Sequence, residues 1–366
     1  MASSTRHHFW RTTIILILSI VLLSLLAVGH SILHAHPIRS RASESNWLSH
    51  QLATGASPDT DGNLIVFSQD DTFYHLACDD LYRRRTPDAS PPDWDVCGYQ
   101  ITSGEIFSII DSSAYDTLPH VAGEWVVFSR PLLGPPFSTL YAYNLTSGEE
   151  TEVYSGDFLS NLAIDGEYFV FSSYDPYQET EPEDQMMIYN LRSREMITLA
   201  LSVSALDIYS NTIVMQHETG VDKESNILGY EIATQETFTI SARLGREQHP
   251  SIHGDLVVWE WYGGIYGHNL QTGESLTFTE YGSSGEPDVS GNLVVWLDRR
   301  RFGTEWDVYA YDLEWQVGSW VTEEPADISD LSVTGELIVW QQDRFDPEIY
   351  VGYRATEHHF LPLIRQ

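Results

Sequence analysis

One short pattern recurs seven times along this chain. It reads glycine, any residue, two apolar positions, valine and an aromatic residue, as in GNLVVW at residues 291–296. The copies begin at residues 62, 123, 166, 210, 254, 291 and 335, so successive starts lie 61, 43, 44, 44, 37 and 44 residues apart. An apolar, β-branched run with turn residues at its borders is typical of a β-strand. The chain is therefore predicted to repeat one strand-based unit.

A second pattern follows each copy of the first. It is rich in tyrosine, as in VYAYDL at residues 308–313, and in several units it ends in a Ser-Gly or Thr-Gly pair that predicts a hairpin into a further strand. Four strands per unit at a period of about 40 residues are typical of a β-propeller blade. The predicted fold is all-β, a seven-bladed β-propeller of four-stranded antiparallel blades over residues 57–362, preceded by one N-terminal hydrophobic helix.

The units resemble the TolB-type, WD40-like propeller repeats. Repeat six carries the most motif positions, at Pro287, Val289, Ser290, Gly291, Val294, Val295, Trp296, Asp307, Val308, Tyr309, Tyr311, Asp312 and Leu313. Repeat four departs most, with Ser210 in place of the glycine and Met215 in place of the aromatic residue. The resemblance covers about 300 residues and implies a fold rather than an activity. TolB has an additional N-terminal α/β domain, for which residues 30–56 are too few, so its envelope role is not carried over.

The N-terminal region predicts export. Residues 12–29 contain no charge, Arg6 and Arg11 precede them, and the acidic body of the chain follows. Such a run is about 27 Å long as a helix, close to the roughly 30 Å of a bilayer core, and its flanks place the propeller outside the cytoplasm. Residues 1–29 are predicted to be an uncleaved signal anchor or a cleaved signal peptide, and residues 30–56 a stalk or linker. The protein is thus expected to be membrane-anchored or secreted.

Two segments compete to complete the seventh blade. Residues 360–364 can supply its fourth strand from the C-terminal side, and residues 47–53, WLSHQLA, can supply it from the N-terminal side. In the second case the two ends of the propeller are clasped together. Sequence alone leaves both routes open.

The charge of the chain excludes one class of partner. Acidic residues outnumber basic ones 53 to 19, which gives a formal net charge of -34. A surface of this sign repels phosphate backbones, so nucleic-acid binding is not expected. We expect a soluble, monomeric propeller.

One position of the repeat is expected to face the central channel. The residue three before each repeat glycine falls on the innermost strand, which gives Asp59, His120, Ala163, Asp207, Ser251, Asp288 and Ser332. Carboxylates and an imidazole around one axis can bind a divalent cation. The competing interpretation is that these polar residues bond to neighbouring backbone and to water. The sequence predicts no organic cofactor and leaves the channel cation as a possibility.

Repeat one contains the only large insertion, at roughly residues 70–95, with Cys78 inside it and Cys97 just after it. Cys78 and Cys97 are predicted to form a disulfide, because exported proteins keep paired cysteines. The insertion also carries Arg83, Arg84 and Arg85, the strongest basic cluster of the chain. These arginines are candidates for contact with an anionic partner, or they form a solvated loop tip.

Further residues are assigned structural roles. Trp259, Trp296 and Trp340 occupy equivalent repeat positions and are predicted to pack between blades. The pairs Asp298-Arg299 and Asp343-Arg344 are predicted to hold turns. Exposed aromatic residues suited to stacking on a sugar are Trp261, Tyr262 and Trp315.

No catalytic motif is present in the sequence. It lacks a G-x-S-x-G elbow, HExxH, CxxC, a P-loop and GxGxxG. The favoured function is a non-catalytic binding or scaffold module that presents loops and a channel mouth to a protein or glycan. The alternatives are a polysaccharide lyase or hydrolase that uses channel-mouth His and Asp residues, and a purely structural module of the cell surface.

Overall fold

The structure, a computed structural model, describes residues 47–70, 94–134, 136–174, 185–219, 224–280, 282–301, 303–322, 326–343 and 347–354. These residues form 28 strands, and the apolar run of each repeat forms the second strand of its blade. The strands are β1 (Trp47–Thr54), β2 (Ala56–Thr60), β3 (Leu64–Asp70), β4 (Trp94–Gln100), β5 (Glu105–Ile110), β6 (Thr117–Ala122), β7 (Trp125–Pro131), β8 (Ser138–Asn144), β9 (Glu149–Gly156), β10 (Phe158–Asp165), β11 (Tyr168–Tyr174), β12 (Gln185–Asn190), β13 (Met196–Ala200), β14 (Val203–Tyr209), β15 (Thr212–Glu218), β16 (Ser225–Glu231), β17 (Glu236–Ser241), β18 (Glu247–His253), β19 (Leu256–Trp261), β20 (Gly264–Asn269), β21 (Ser275–Thr277), β22 (Ser284–Ser290), β23 (Leu293–Asp298), β24 (Asp307–Asp312), β25 (Val317–Trp320), β26 (Ile328–Thr334), β27 (Leu337–Asp343) and β28 (Pro347–Arg354).

Seven antiparallel sheets of four strands are built from these elements, which confirms the predicted blades. Blades one to six each use four consecutive strands, from β2–β5 to β22–β25. The first strand of each blade contacts the first strand of the next, and β26 of blade seven contacts β2 of blade one. The inner strands therefore form a closed ring, with a channel along its axis.

The ring is closed by the N-terminal strand. Blade seven has the order β1-β28-β27-β26, so β1 supplies its fourth strand and pairs antiparallel with β28 from Trp47 opposite Arg354 to Thr54 opposite Glu348. The structure thus selects residues 47–53 of the two routes that the sequence left open. Residues 360–364 lie outside the described residues.

The core lies between blades. The second strand of each blade holds the Val-aromatic end of the repeat, and Trp259, Trp296 and Trp340 are almost completely buried there. Trp296 packs with Leu256 and Val258 of the preceding blade, as the repeat position predicts. Because both faces of a blade are covered by neighbours, these strands are apolar throughout rather than alternating.

The two faces of the ring carry different kinds of connection between strands. We call the face with the turns from first to second and from third to fourth strands the turn face. The opposite face, with the connections from second to third strands and from blade to blade, is the loop face. Connections from second to third strand vary widely in length, from 23 residues in blade one to two residues, Tyr262 and Gly263, in blade five. That short hairpin and the three-residue β21 account for the 37-residue interval after repeat five.

Within the part of the chain that the structure describes, no helix is long and apolar enough to cross a membrane. The predicted hydrophobic helix of residues 1–29 lies outside the described residues. The same holds for residues 30–46 of the predicted linker.

Candidate functional site

A cavity of about 1380 Å³ occupies the centre of the ring. Every one of the seven predicted channel positions lies on its wall, namely Asp59, His120, Ala163, Asp207, Ser251, Asp288 and Ser332. Counting back three residues from each repeat glycine thus brings together side chains that are up to 273 residues apart in sequence, such as Ser332 and Asp59. The cavity reaches both faces, because its lining includes turn-face residues such as Asp61 and loop-face residues such as His249.

The channel carboxylates bond to the backbone of the next blade. Val121 N donates to Asp59 Oδ2 at 2.9 Å and Ile252 N donates to Asp207 Oδ2 at 2.8 Å. In the same way, Val333 N donates to Asp288 Oδ2 at 2.7 Å. In each pair the donor follows the equivalent channel position of the following blade. These charge-assisted bonds hold adjacent inner strands together.

Two channel serines extend the same links. Ser251 Oγ donates to Asp288 Oδ1 at 2.6 Å, which joins blades five and six. Ser332 Oγ donates to Asp59 Oδ1 at 2.9 Å, which joins blade seven to blade one across the closure of the ring. Of the two interpretations left open by the sequence, these contacts match the one in which channel polar groups bond to neighbouring backbone.

The channel shifts the pKa values of its carboxylates. Burial raises the pKa of Asp207 to about 6, with repulsion from Asp59 adding to the effect. Burial likewise raises the pKa of Asp288 to about 7, and the charge of Asp207 adds to it. For Asp59, burial is again the largest single effect and acts in the same direction. His120 Nδ1, 3.5 Å from Asp59 Oδ2, together with the hydrogen bonds from Val121 N and Ser332 Oγ, outweighs burial, and the pKa of Asp59 is lowered.

These shifts predict a stability that declines as pH rises toward 8. The folded-state pKa values of Asp207 and Asp288 lie above the ordinary 3.8, so the folded protein holds more protons than the unfolded chain between pH about 4 and 7. Their stabilising effect is therefore full below pH 4 and is lost as pH rises through about 6 and 7. We expect a lower thermal midpoint at pH 8 than at pH 6, and a smaller difference in the Asp288→Asn variant, measured by circular dichroism. An equal difference in both proteins would contradict the assignment.

A ring of bulges lies at the loop-face end of the channel. In six of the seven inner strands the residue five before the repeat glycine has a positive φ, although none is glycine. These residues are Ser57, Leu118, Asn161, His249, Glu286 and Asp330, with φ between 48° and 53°. The strand register shifts at each of these points. Sequence reasoning missed this ring. Asn161, His249 and Asp330 are of types enriched at left-handed positions, but the other three are not, so the position has no common residue type.

Ionisable side chains gather on one side of this mouth. His249 Nδ1 lies 3.3 Å from Glu260 Oε2. This hydrogen bond is the first cause of a raised pKa for His249, and the charges of Glu260 and Glu286 add to it. Blades five to seven therefore present a charged rim, whereas Leu118 and Leu206 of blades two and four make the other side more apolar.

Metal binding in the channel stays a prediction. In the described ranges, no group of three or more His, Cys, Asp or Glu side chains is placed to hold a metal ion. The carboxylates best situated to do so, Asp207 and Asp288, each accept backbone N–H groups with both oxygens.

Other predicted residues are placed as follows. Asp298 does hold a turn, and it pairs with Arg300, whereas the guanidinium of Arg299 stacks 4.0 Å from the centre of the Trp306 ring. Arg83, Arg84, Arg85 and Arg344 lie outside the described residues. Tyr262 is exposed on the loop face and Trp315 on the turn face.

The disulfide is open to a direct test. Cys97 is completely buried in β4, and Cys78 lies outside the described residues, so their pairing stays a prediction. A bridge that closes this loop of about 20 residues should contribute about 3 kcal/mol to the free energy of unfolding. We expect Cys78→Ser to lose that amount in urea denaturation, and wild-type protein unfolded without reductant to resist alkylation. Alkylation of both cysteines under those conditions would rule the bridge out.

No protein-family model matches the sequence, and no curated protein matches it significantly. Solved structures do match. The β-propeller domain of the Trilobed protease from Pyrococcus furiosus has a TM-score of 0.62 at 11% identity, over 87% of this chain and 100% of that one. An oligogalacturonate lyase from Vibrio parahaemolyticus has a TM-score of 0.56 at 12% identity, over 85% and 92% of the two chains.

TolB from Acinetobacter baumannii also matches, with a TM-score of 0.45 at 10% identity over 62% of each chain. This chain thus spans less than two thirds of the length of that TolB. The TM-scores of the first two matches show a shared fold, and sequence identities this low leave the activity open. Together with the seven blades described above, the first two matches identify the chain as a seven-bladed β-propeller, the fold that its resemblance to TolB-type repeats implied.

Proposed function

We propose that this protein is a non-catalytic, extracytoplasmic binding module that presents its loop face and channel mouth to a protein or glycan of the cell envelope. The observation that supports this most is the state of the channel carboxylates. Asp59, Asp207 and Asp288 accept backbone N–H groups of the next blade. Carboxylates that accept these hydrogen bonds stabilise the ring of blades. We therefore assign partner recognition to the side chains at the channel mouth and on the loop face.

The location is part of the proposal. The uncharged run of residues 12–29, behind Arg6 and Arg11, favours a signal anchor or signal peptide. The propeller would then be membrane-anchored or secreted, and monomeric. The net charge of -34 argues against a nucleic-acid partner. A divalent cation in the channel remains the only cofactor proposed.

Site-specific crosslinking tests the function. A photoreactive amino acid would replace Leu118 at the channel mouth in one variant of the full-length chain and Trp315 on the turn face in another. We expect envelope material to crosslink through position 118 and not through position 315. Equal crosslinking from both faces would contradict recognition by the loop face. Crosslinks only between copies of this chain would instead support a purely structural module.

An enzyme is the second candidate. The pair His249 and Glu260, 3.3 Å apart at the channel mouth, joins an imidazole to a carboxylate on a strained backbone position, and perturbed groups often mark reactive sites. The fold is shared with an oligogalacturonate lyase. A lyase or hydrolase acting on polysaccharide would lose its activity in a His249→Gln variant. Polysaccharide chains that stay intact after long incubation with the wild-type protein would remove this candidate.

A further inference from the structure

Blade five leaves a gap in the wall of the loop face. Its second and third strands are joined by two residues, whereas the corresponding connections of blades four and six have six and eight. It is the shortest such connection in the ring, followed by that of blade seven with three residues. A ligand at the channel mouth can extend outward over this hairpin, past Glu260 and Glu286.

A second, smaller pocket opens beside this gap. It has a volume of about 170 Å³ and lies between blades five and six. Small residues form much of its wall, namely Gly263, Gly282, Ser283, Ser284 and Gly285. Glu286 lines both this pocket and the central cavity, so the two lie side by side. The volume is below the roughly 300 Å³ at which pockets for drug-sized ligands begin, and it suits one ring of a longer molecule.

Polar groups of both signs meet in this pocket. Glu260, Glu286 and Arg299 all line it. The Arg299 guanidinium rests on Trp306, and among the described residues no carboxylate lies within ion-pair distance of it. A Cβ atom added to Gly285 would lie 2.9 Å from Glu260 Oε2 and 3.9 Å from Trp306, so the carboxylate and the indole meet at this glycine.

This arrangement favours a neutral hydroxylated ligand. An anion would be attracted by Arg299 but repelled by two glutamates. A cation would be attracted by the glutamates but repelled by Arg299 and by protonated His249, which pairs with Glu260. A hydroxyl group both donates and accepts, so adjacent hydroxyls can donate to the glutamates and accept from the guanidinium at once. Such a ligand satisfies all three charged groups without adding a net charge.

An exposed aromatic ring stands on the short hairpin of blade five, on the side toward blade four. Tyr262 is 57% exposed, and its φ of 51° is unusual for a bulky residue. Trp261, with its ring centre 5.2 Å away, supports it from one side. Gly245 supports it from another, since a Cβ there would lie 2.3 Å from the Tyr262 hydroxyl. The chain thus fixes an amphipathic ring at the gap, where it can stack on the apolar face of a sugar.

We propose that the pocket between blades five and six, together with the ring of Tyr262, binds a neutral oligosaccharide. One sugar ring fills the glycine-lined pocket beside the glutamates and Arg299, and the next crosses the two-residue hairpin to stack on Tyr262. This inference rests on the proposed binding function and names the glycan as its partner.

Isothermal titration of the full-length protein tests the proposal. The probes are oligomers of glucose, galactose and mannose, beside oligomers of galacturonic acid and of glucosamine. Three variants each remove one feature. Arg299→Gln removes the guanidinium, and Gly285→Ala fills part of the pocket. Tyr262→Asn removes the aromatic ring and introduces a residue type that tolerates the positive φ at this position. Trp315→Ala removes the other strongly exposed aromatic side chain that the sequence suggested for sugar stacking, 72% exposed on the turn face, and so distinguishes the two positions.

We expect a neutral oligomer to bind, with affinity at least tenfold lower in each of the three variants and unchanged in Trp315→Ala. Thermal unfolding of each variant verifies that it is folded. The proposal would be overturned if a charged oligomer bound more tightly than the neutral ones, or if no neutral oligomer bound. It would also be overturned if none of the three substitutions changed the affinity. Specific crosslinking of a protein at the loop face, without saccharide binding, would overturn this inference and leave the proposed function standing.

Discussion

Replacement of Trp47 by alanine is expected to lower the free energy of unfolding by about 3–5 kcal/mol, the usual cost of truncating a large buried aromatic residue. Trp47 is 7% exposed although it begins the first described strand. Its indole Nε1 donates to Ser319 Oγ of blade six at 3.0 Å, and the guanidinium of Arg354 lies over its ring. The substitution therefore removes a contact that fastens the closing strand to two blades. Equilibrium unfolding in urea measures the change.

Leu48→Ala is the matched control, because it lies in the same strand with 51% of its surface exposed. We expect its effect to stay within about 0.5 kcal/mol, as for most surface substitutions. If the two variants lose the same free energy of unfolding, or if neither loses any, then the packing of Trp47 in β1 does not stabilise the ring as proposed. Limited proteolysis adds a second measurement, since a loosened β1 should be cut before the blades.

The blades could be predicted from the sequence because each is specified by local signals. The apolar run, the turn glycine and the tyrosine-rich strand fall within one repeat, and their order implies an antiparallel sheet. Ring closure could not be decided in the same way. It depends on whether residues near the N-terminus or the C-terminus pair with β28, and both segments have strand-like composition.

The seven channel positions lie together on the wall of the cavity, and bonding to neighbouring backbone was one of the two interpretations that the sequence left open. Asp207 and Asp288 could have been ligands or structural groups by residue type alone. What distinguishes the two is the position of Ile252 N and Val333 N, which belong to other repeats. A contact between two repeats depends on how the blades are arranged in the ring, so it cannot be predicted from the sequence pattern of a single repeat.

The site between blades five and six left one trace in the sequence, the short interval of 37 residues after repeat five. That interval indicates a shortened connection in blade five, and a shortened connection leaves an opening on the loop face. Arg299 was assigned to a turn together with Asp298. Its actual contact with Trp306 depends on which of three successive arginines reaches the buried carboxylate, and the sequence does not distinguish them.

Replacement of Asp298 by alanine should be comparably severe, with a loss of about 3–5 kcal/mol, because it leaves buried donors without their acceptor. Asp298 is completely buried at the end of β23. Its Oδ2 accepts from Trp296 Nε1 at 2.8 Å and from Ser284 Oγ at 3.2 Å, and Arg300 pairs with it at 2.6 Å. One carboxylate thus joins the core tryptophan to the loop that carries Arg299.

Two companion variants separate this role from a general loss of charge. Asp255→Ala removes an exposed aspartate from a turn of blade five and should change stability by no more than about 0.5 kcal/mol. Asp298→Asn keeps one acceptor oxygen for the indole but cannot pair with the Arg300 charge, so its loss should lie between those of the other two variants. An Asp298→Asn variant as stable as the wild type would show that the hydrogen bond to Trp296, and not the ion pair, stabilises blade six. The saccharide affinity of the same variant would then reveal how far the position of Arg299 depends on its neighbour.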